Sequence, residues 1–195
     1  MTALPNVNLW SSPDHALEYL RRADSIPHRA EGEAELLACL PPDPKRILDL
    51  GSGAGRLLDL VKAARPSGKF VAVDFSSTML EALRKQFGSD QSVTIIENDL
   101  SGTLPQLGEF DAVVSSFAIH HLVHERKREL YREVFHLLVP GGVFCNLEHV
   151  ASPTAICINS FWPNSSSREA RRTPRISCWI LRPSCAGYAK LALLT

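Results

Sequence analysis

Three observations predict an α/β chain folded as a doubly wound, mostly parallel sheet with helices on both faces. Short apolar strands alternate with amphipathic helical stretches between residues 46 and 149. Glycines and carboxylates recur where each strand would end. The 195 residues, 45% of them hydrophobic, suffice for one well-cored domain. Strands alternating with helices form parallel βαβ units, and such sheets bind ligands outside the carboxyl ends of their strands.

Residues 1–44 read as a helical cap, 45–155 as the core and 156–195 as an atypical basic tail. Ser12 is placed to cap a helix with Pro13 at its first position, and Leu17 and Leu20 share a face. Ile26-Pro27 interrupts that helix. Residues 31–40 predict a second one with Leu36, Leu37 and Leu40 inward, closed by Pro41-Pro42-Asp43-Pro44. Residues 46–50 form a strand running into glycines, followed by a helix over 54–65 with Leu57, Leu58, Val61 and Ala64 at helical spacing. A strand over 69–74 leads to a helix over 76–87, which carries Met79, Leu80, Leu83 and Phe87 on one side. Strands over 93–96 and 110–117 follow. A helix over 123–138 turns Leu130, Tyr131, Val134 and Leu138 inward, and Pro140-Gly141-Gly142 turns into a fifth strand over 143–149.

Composition narrows the function. Formal net charge is zero, so bulk charge calls for no polyanion partner. The first ten residues lack a basic and then apolar leader, and no apolar run nears the ~20 residues of a membrane span. Five scattered cysteines without CxxC spacing read as reduced thiols of a cytoplasmic protein, with no metal site. The charge is nevertheless uneven. Residues 156–195 hold six basic residues and one acidic, against 15 basic and 20 acidic before them.

The chemistry begins at Asp49-Leu50-Gly51-Ser52-Gly53-Ala54-Gly55. Glycines between a strand and a helix let the backbone turn tightly and approach a ligand, with helix N–H groups facing it. The dinucleotide fingerprint GxGxxG needs a glycine where Arg56 stands, and the GxxxxGK[ST] phosphate loop is absent. A carboxylate at the loop's mouth suits an ammonium better than a pyrophosphate. That favours S-adenosylmethionine over NAD.

The run from Ile47 to Gly55 resembles motif I of the class I S-adenosylmethionine-dependent methyltransferases, a Rossmann-like family. The resemblance covers roughly residues 45–150. It implies that Asp49, Gly51, Ser52, Gly53 and Gly55 bind the cofactor. Asp74, 23 positions after Gly51, matches the acidic residue on the ribose hydroxyls, and Asp99 matches the contact to the adenine amine. Phe75 and Leu100 would wall the adenine ring, and Ser115 and Ser116, in a segment similar to motif IV, would hydrogen-bond the cofactor through backbone groups or merely end the strand. His120 and His121 follow the fourth strand, where this family holds the methyl acceptor. One is a candidate general base, or the pair packs near the sulfonium and caps the next helix. In this family the segment before motif I often folds over the cofactor as a lid. Tyr19, His28 and Arg29 are its candidates, with Arg29 able to grip the methionine carboxylate.

A complete domain of this family carries two more strands after the fifth, and the periodicity here stops near Ala155. Regular sixth and seventh strands are therefore expected to be lacking. The tail reads as out-of-frame sequence, as a basic extension that leaves RNA open as a partner, or as cryptic strands at 176–181 and 189–194. The expected function is methyl transfer to a small-molecule acceptor by in-line displacement. The alternative is a catalytically impaired module that holds the cofactor or a partner. The segment lacks the Asn/Asp-Pro-Pro-Tyr and Pro-Cys signatures of several nucleic-acid methylating enzymes.

Overall fold

The computed structural model describes residues 12–149 and, as backbone, residues 174–180. Its sheet has the order β3-β2-β1-β4-β5-β6. The strands are β1 (Arg46–Leu50), β2 (Lys69–Asp74), β3 (Val93–Glu97), β4 (Phe110–Ser116), β5 (Leu138–His149) and β6 (Pro174–Ile180). The first five run parallel, as the alternating pattern predicts. The helices among the described residues are α1 (Pro13–Arg22), α2 (Arg29–Cys39), α3 (Arg56–Ala64), α4 (Ser77–Phe87) and α5 (His124–Leu137).

Period-two alternation along the strands builds two apolar layers. Ile47, Ala72, Ala112 and Val114 face one way, onto Leu36 and Leu40 of the α2 segment, Leu57, Leu58 and Val61 of α3, and Leu80, Leu83 and Phe87 of α4. Leu48, Leu50, Val71, Val73 and Val113 face the other way, onto Leu130 and Val134 of α5 and onto Leu100. Strand order reverses between β1 and β4, which leaves a crevice above their carboxyl ends.

Two expectations need correction. Tyr131 lies at the surface rather than in the core, with its ring tilted against Phe144 at 5.8 Å. Pro140-Gly141-Gly142 is no separate turn. β5 already begins at Leu138, and its register against β4 shifts through a bulge there, with Gly141 at φ +84°.

The sheet also continues past the fifth strand, although a regular sixth strand is not expected; of the three readings of the tail, the cryptic strand at 176–181 is the one this meets. Residues 174–180 pair antiparallel with β5 from Val143↔Ile180 to His149↔Pro174. β5 would otherwise present a bare backbone edge. Ile176, Trp179 and Ile180 are residue types that suit a strand, and Pro174 is tolerated at a strand's first position. The remaining tail, the first eleven residues and the readings placed on them lie outside the described residues. Among the described residues no helix is long and apolar enough to cross a membrane.

Candidate functional site

A cavity of about 640 Å³ opens above the carboxyl ends of β1, β2 and β4, within the size range of small-molecule sites. The loop after β1 forms its floor. The Gly51 and Ser52 N–H groups both donate to Val73 O, at 2.8 and 3.0 Å, and Ser52 Oγ donates to Asp49 O at 2.9 Å while accepting the Val73 N–H at 3.1 Å. The loop is thereby stitched to the end of β2. Gly51 has φ +70°, and a Cβ there would stand 2.3 Å from the Ala118 methyl carbon, so only glycine fits.

Asp49 is 2% exposed, lines the cavity, and among the described residues has no hydrogen-bond partner on either carboxylate oxygen. Burial foremost, helped by the charge of Asp74, pushes its pKa up to about 7. A buried carboxylate without donors is costly in isolation, and a ligand ammonium would satisfy it.

Asp74 closes β2 and is 8% exposed. Its Oδ2 accepts the Gly53 N–H at 2.8 Å and its Oδ1 the Ser76 N–H at 2.9 Å. Burial raises its pKa, against the lowering effect of these backbone donors. A carboxylate has acceptor capacity beyond these backbone donors, which a ligand hydroxyl could use. Phe75, Asp99 and Leu100 line the same cavity. The Asp99 Oδ1 accepts the Ser101 N–H at 2.8 Å, which fixes the turn after β3.

The segment before β1 contributes to the cavity wall. Tyr19 and Arg29 line it, and Arg29 Nη1 donates to Tyr19 Oη at 3.3 Å and to Ala23 O at 3.2 Å. The Arg29 guanidinium lies 5.2 Å from the centroid of the Phe117 ring. His28 lies outside the lining, exposed, with Nδ1 3.6 Å from Glu31. Phe117 is buried at φ +54°, a left-handed conformation costly for an aromatic residue. This turn lets Ser116 and Ala118 line the cavity on either side of it.

Three expected site residues fall outside the lining. Gly55 faces the core instead: a Cβ there would meet Phe87 at 2.6 Å and Leu83 at 2.7 Å, so it lets α3 approach α4. Ser115 is fully buried and its Oγ donates to Leu50 O at 2.8 Å, tying β4 to β1. Its neighbour Ser116 takes the cavity position. Of the two histidines, His121 lines the cavity and His120 turns away. His120 Nδ1 lies 2.5 Å from Glu148 Oε2, and its N–H donates to Glu148 Oε1 at 3.0 Å. The rings of the pair are 3.9 Å apart. Desolvation, then the nearby His120, His15 and Lys127, push the His121 pKa down to about 4, so this imidazole is neutral at neutral pH.

The geometry adds residues that the sequence did not single out. Glu33 joins Arg29 to Arg56. Buried Arg126 donates to Leu100 O at 2.8 Å and pairs doubly with Glu133, at 2.6 and 2.9 Å, whose Oε2 also accepts the Leu104 N–H at 3.0 Å. The loop after β3 thus hangs from α5. Glu148, at the end of β5, obeys the same strand-end rule that pointed to Asp74 and was legible on that ground.

Comparison with known proteins agrees with this geometry. The methyltransferase domain family matches residues 47–142. A demethylmenaquinone methyltransferase of Thermus thermophilus is 36% identical over 113 residues, 56% of this chain and 50% of the relative. A malonyl-[acyl-carrier protein] O-methyltransferase of Legionella pneumophila is 32% identical over 106 residues, 54% of this chain and 37% of the relative. The chain therefore spans half or less of the length of these relatives. A solved S-adenosylmethionine-dependent methyltransferase from Mesorhizobium loti superposes with a TM-score of 0.52 at 32% identity, covering 60% of this chain and 52% of that one.

Proposed function

Because residues 47–142 match the methyltransferase domain family and the fold is similar to that of a solved S-adenosylmethionine-dependent methyltransferase, we propose that this chain is a class I enzyme of that kind, transferring a methyl group to a small-molecule acceptor by in-line displacement. The observation that carries this reading is Asp49, a buried carboxylate without donors among the described residues, on the wall of a cavity that Asp74 and Asp99 also line. The donor set fits an S-adenosylmethionine, whose sulfonium supplies an activated methyl group when bound.

In this reading Asp49 pairs with the ammonium and Arg29 with the carboxylate of the methionine moiety. Asp74 accepts from the ribose hydroxyls. Phe75 and Leu100 enclose the adenine ring, and Asp99 accepts from its amine. The Gly51–Gly53 backbone gives the close approach. The acceptor would enter where His121, Leu122 and Val123 line the cavity. His121, with a pKa of about 4, is a weak base, so alignment and exclusion of water would supply most of the rate. That two relatives act on demethylmenaquinone and on malonyl-[acyl-carrier protein] supports an acceptor in the metabolite range without naming one.

Calorimetry with S-adenosylmethionine and S-adenosylhomocysteine, followed by turnover on a metabolite panel, tests the proposal. Saturable binding with turnover is expected. Binding without turnover would favour the module that only holds the cofactor, and the absence of binding would refute both.

A further inference from the structure

His120 turns away from the cavity, yet its ring and both polar groups of its backbone are held. Glu148, at the end of β5, accepts the His120 N–H on Oε1 at 3.0 Å, and its Oε2 stands 2.5 Å from His120 Nδ1. An ionised carboxylate only accepts, so this contact keeps a proton on Nδ1. Lys127 Nζ of α5 donates to His120 O at 3.1 Å. One residue earlier on β5, Leu147 O accepts the Phe117 N–H at 2.8 Å. The chain leaving β4 is thus fastened to β5 at two points. The Glu148 side chain is 10% exposed and lies outside the cavity lining.

The segment held in this way is the single-turn helix Ile119–His121. Its backbone bonds run from His121 N–H to Ala118 O at 3.3 Å and from Leu122 N–H to Ile119 O at 3.1 Å. One isolated turn is not self-supporting, because its nucleus fixes several dihedrals for little hydrogen bonding. Buried Ile119 anchors it, and Glu148 and Lys127 add restraint from β5 and α5. The residues that continue it, His121, Leu122 and Val123, line the cavity. The His120 ring lies 3.9 Å from the His121 ring, so the held imidazole backs the one on the wall.

We propose that Glu148 is a positioning residue for the methyl acceptor, which through His120 keeps His121, Leu122 and Val123 in the arrangement the acceptor meets. The inference rests on the acceptor placement given above. A wall fixed before binding gives up little freedom when its ligand arrives, so the restraint is read in acceptor affinity. The proposed cofactor contacts Asp49, Asp74 and Asp99 belong to β1, β2 and the turn after β3, apart from this fastening.

The test is steady-state methylation by the full chain on a panel of small phenols, carboxylic acids and amines. Kinetics then follow the panel compound that the wild type methylates fastest. Glu148→Leu is expected to raise the KM of that compound about fivefold, with kcat and the KM of S-adenosylmethionine changed less than twofold. Equal rises in both KM values, or a lower melting temperature with the acceptor KM unchanged, would mean a merely structural role and overturn the proposal. The amide of Glu148→Gln meets both His120 groups once the imidazole changes tautomer, so this variant should return the acceptor KM to within about twofold of wild type. A Glu148→Gln protein as impaired as Glu148→Leu overturns the proposal. Should Glu148→Leu fail to fold, Glu148→Asp, which keeps the charge on a shorter arm, must raise the acceptor KM at least twofold, and an unchanged value overturns the proposal. A wild type that binds S-adenosylhomocysteine and methylates nothing in the panel refutes the acceptor reading, and this inference falls with it. Wild-type turnover matched by Glu148→Leu refutes this inference alone.

Discussion

The Asp74 carboxylate accepts the Gly53 N–H at 2.8 Å, so the end of β2 holds the glycine loop that follows β1. One side chain is thus both a proposed ligand for ribose and a clamp on the backbone that approaches the cofactor. Asp74→Ala is expected to weaken S-adenosylmethionine binding more than tenfold by calorimetry. An unchanged affinity would remove the ribose assignment.

Asp49 makes ligand-free stability depend on pH. Its folded pKa of about 7 lies above the ordinary 3.8, so between these values the folded state keeps a proton that the unfolded chain has lost. Stability from this group is therefore present at low pH, falls as pH rises towards 7, and levels off above it, by on the order of a few kcal/mol in all. Asp49→Asn should raise the melting temperature of the ligand-free protein more at pH 7.5 than at pH 5. Cofactor affinity should run the other way, climbing with pH to about 7 in the wild type and losing that slope in the variant.

His121 lies on the wall but titrates at about 4. His121→Gln is expected to lower kcat/KM less than tenfold and to leave the profile between pH 6 and 9 unchanged. A loss of a thousandfold with an acid limb near 7 would instead assign it an essential proton transfer.

Gly55 combines φ +95° with core atoms 2.6 and 2.7 Å from where a Cβ would stand. Gly55→Ala must strain the backbone and push α3 away from α4, at a cost of about 2–4 kcal/mol. Urea denaturation measures it, and a change below 1 kcal/mol would contradict the packing role.

Ser115→Ala should separate stability from binding. Loss of the buried bond to Leu50 O is expected to cost about 1 kcal/mol, with cofactor affinity unchanged within twofold. A large loss of affinity would return Ser115 to the site.

Asp49, Asp74 and Asp99 were legible because apolar runs reveal where strands end, and ligands gather at those ends. Ser115 and Gly55 look like cofactor residues in the sequence because residue order marks a strand's end but not which of two adjacent side chains turns to the cavity. Glu33 stands four residues after Arg29, a spacing that pairs side chains on one helix face, but its bond to Arg56 depends on how α2 docks on α3. The sixth strand was legible only as one of three readings of the tail, for a different reason. Its pairing is antiparallel and joins residues well apart in the chain, and periodicity within a short segment carries no information about its partner.

Arg126 grips the Leu100 carbonyl while Glu133 grips the Leu104 N–H, and both belong to the helix that follows the proposed acceptor mouth. Cofactor and acceptor would therefore not be independent guests. Restraint applied to the loop after β3 by one reaches α5, where the other would be felt, and linkage makes the effect mutual. Amide exchange along α5 should slow when the nucleoside end of the pocket is filled, and an Arg126→Lys variant should uncouple the two.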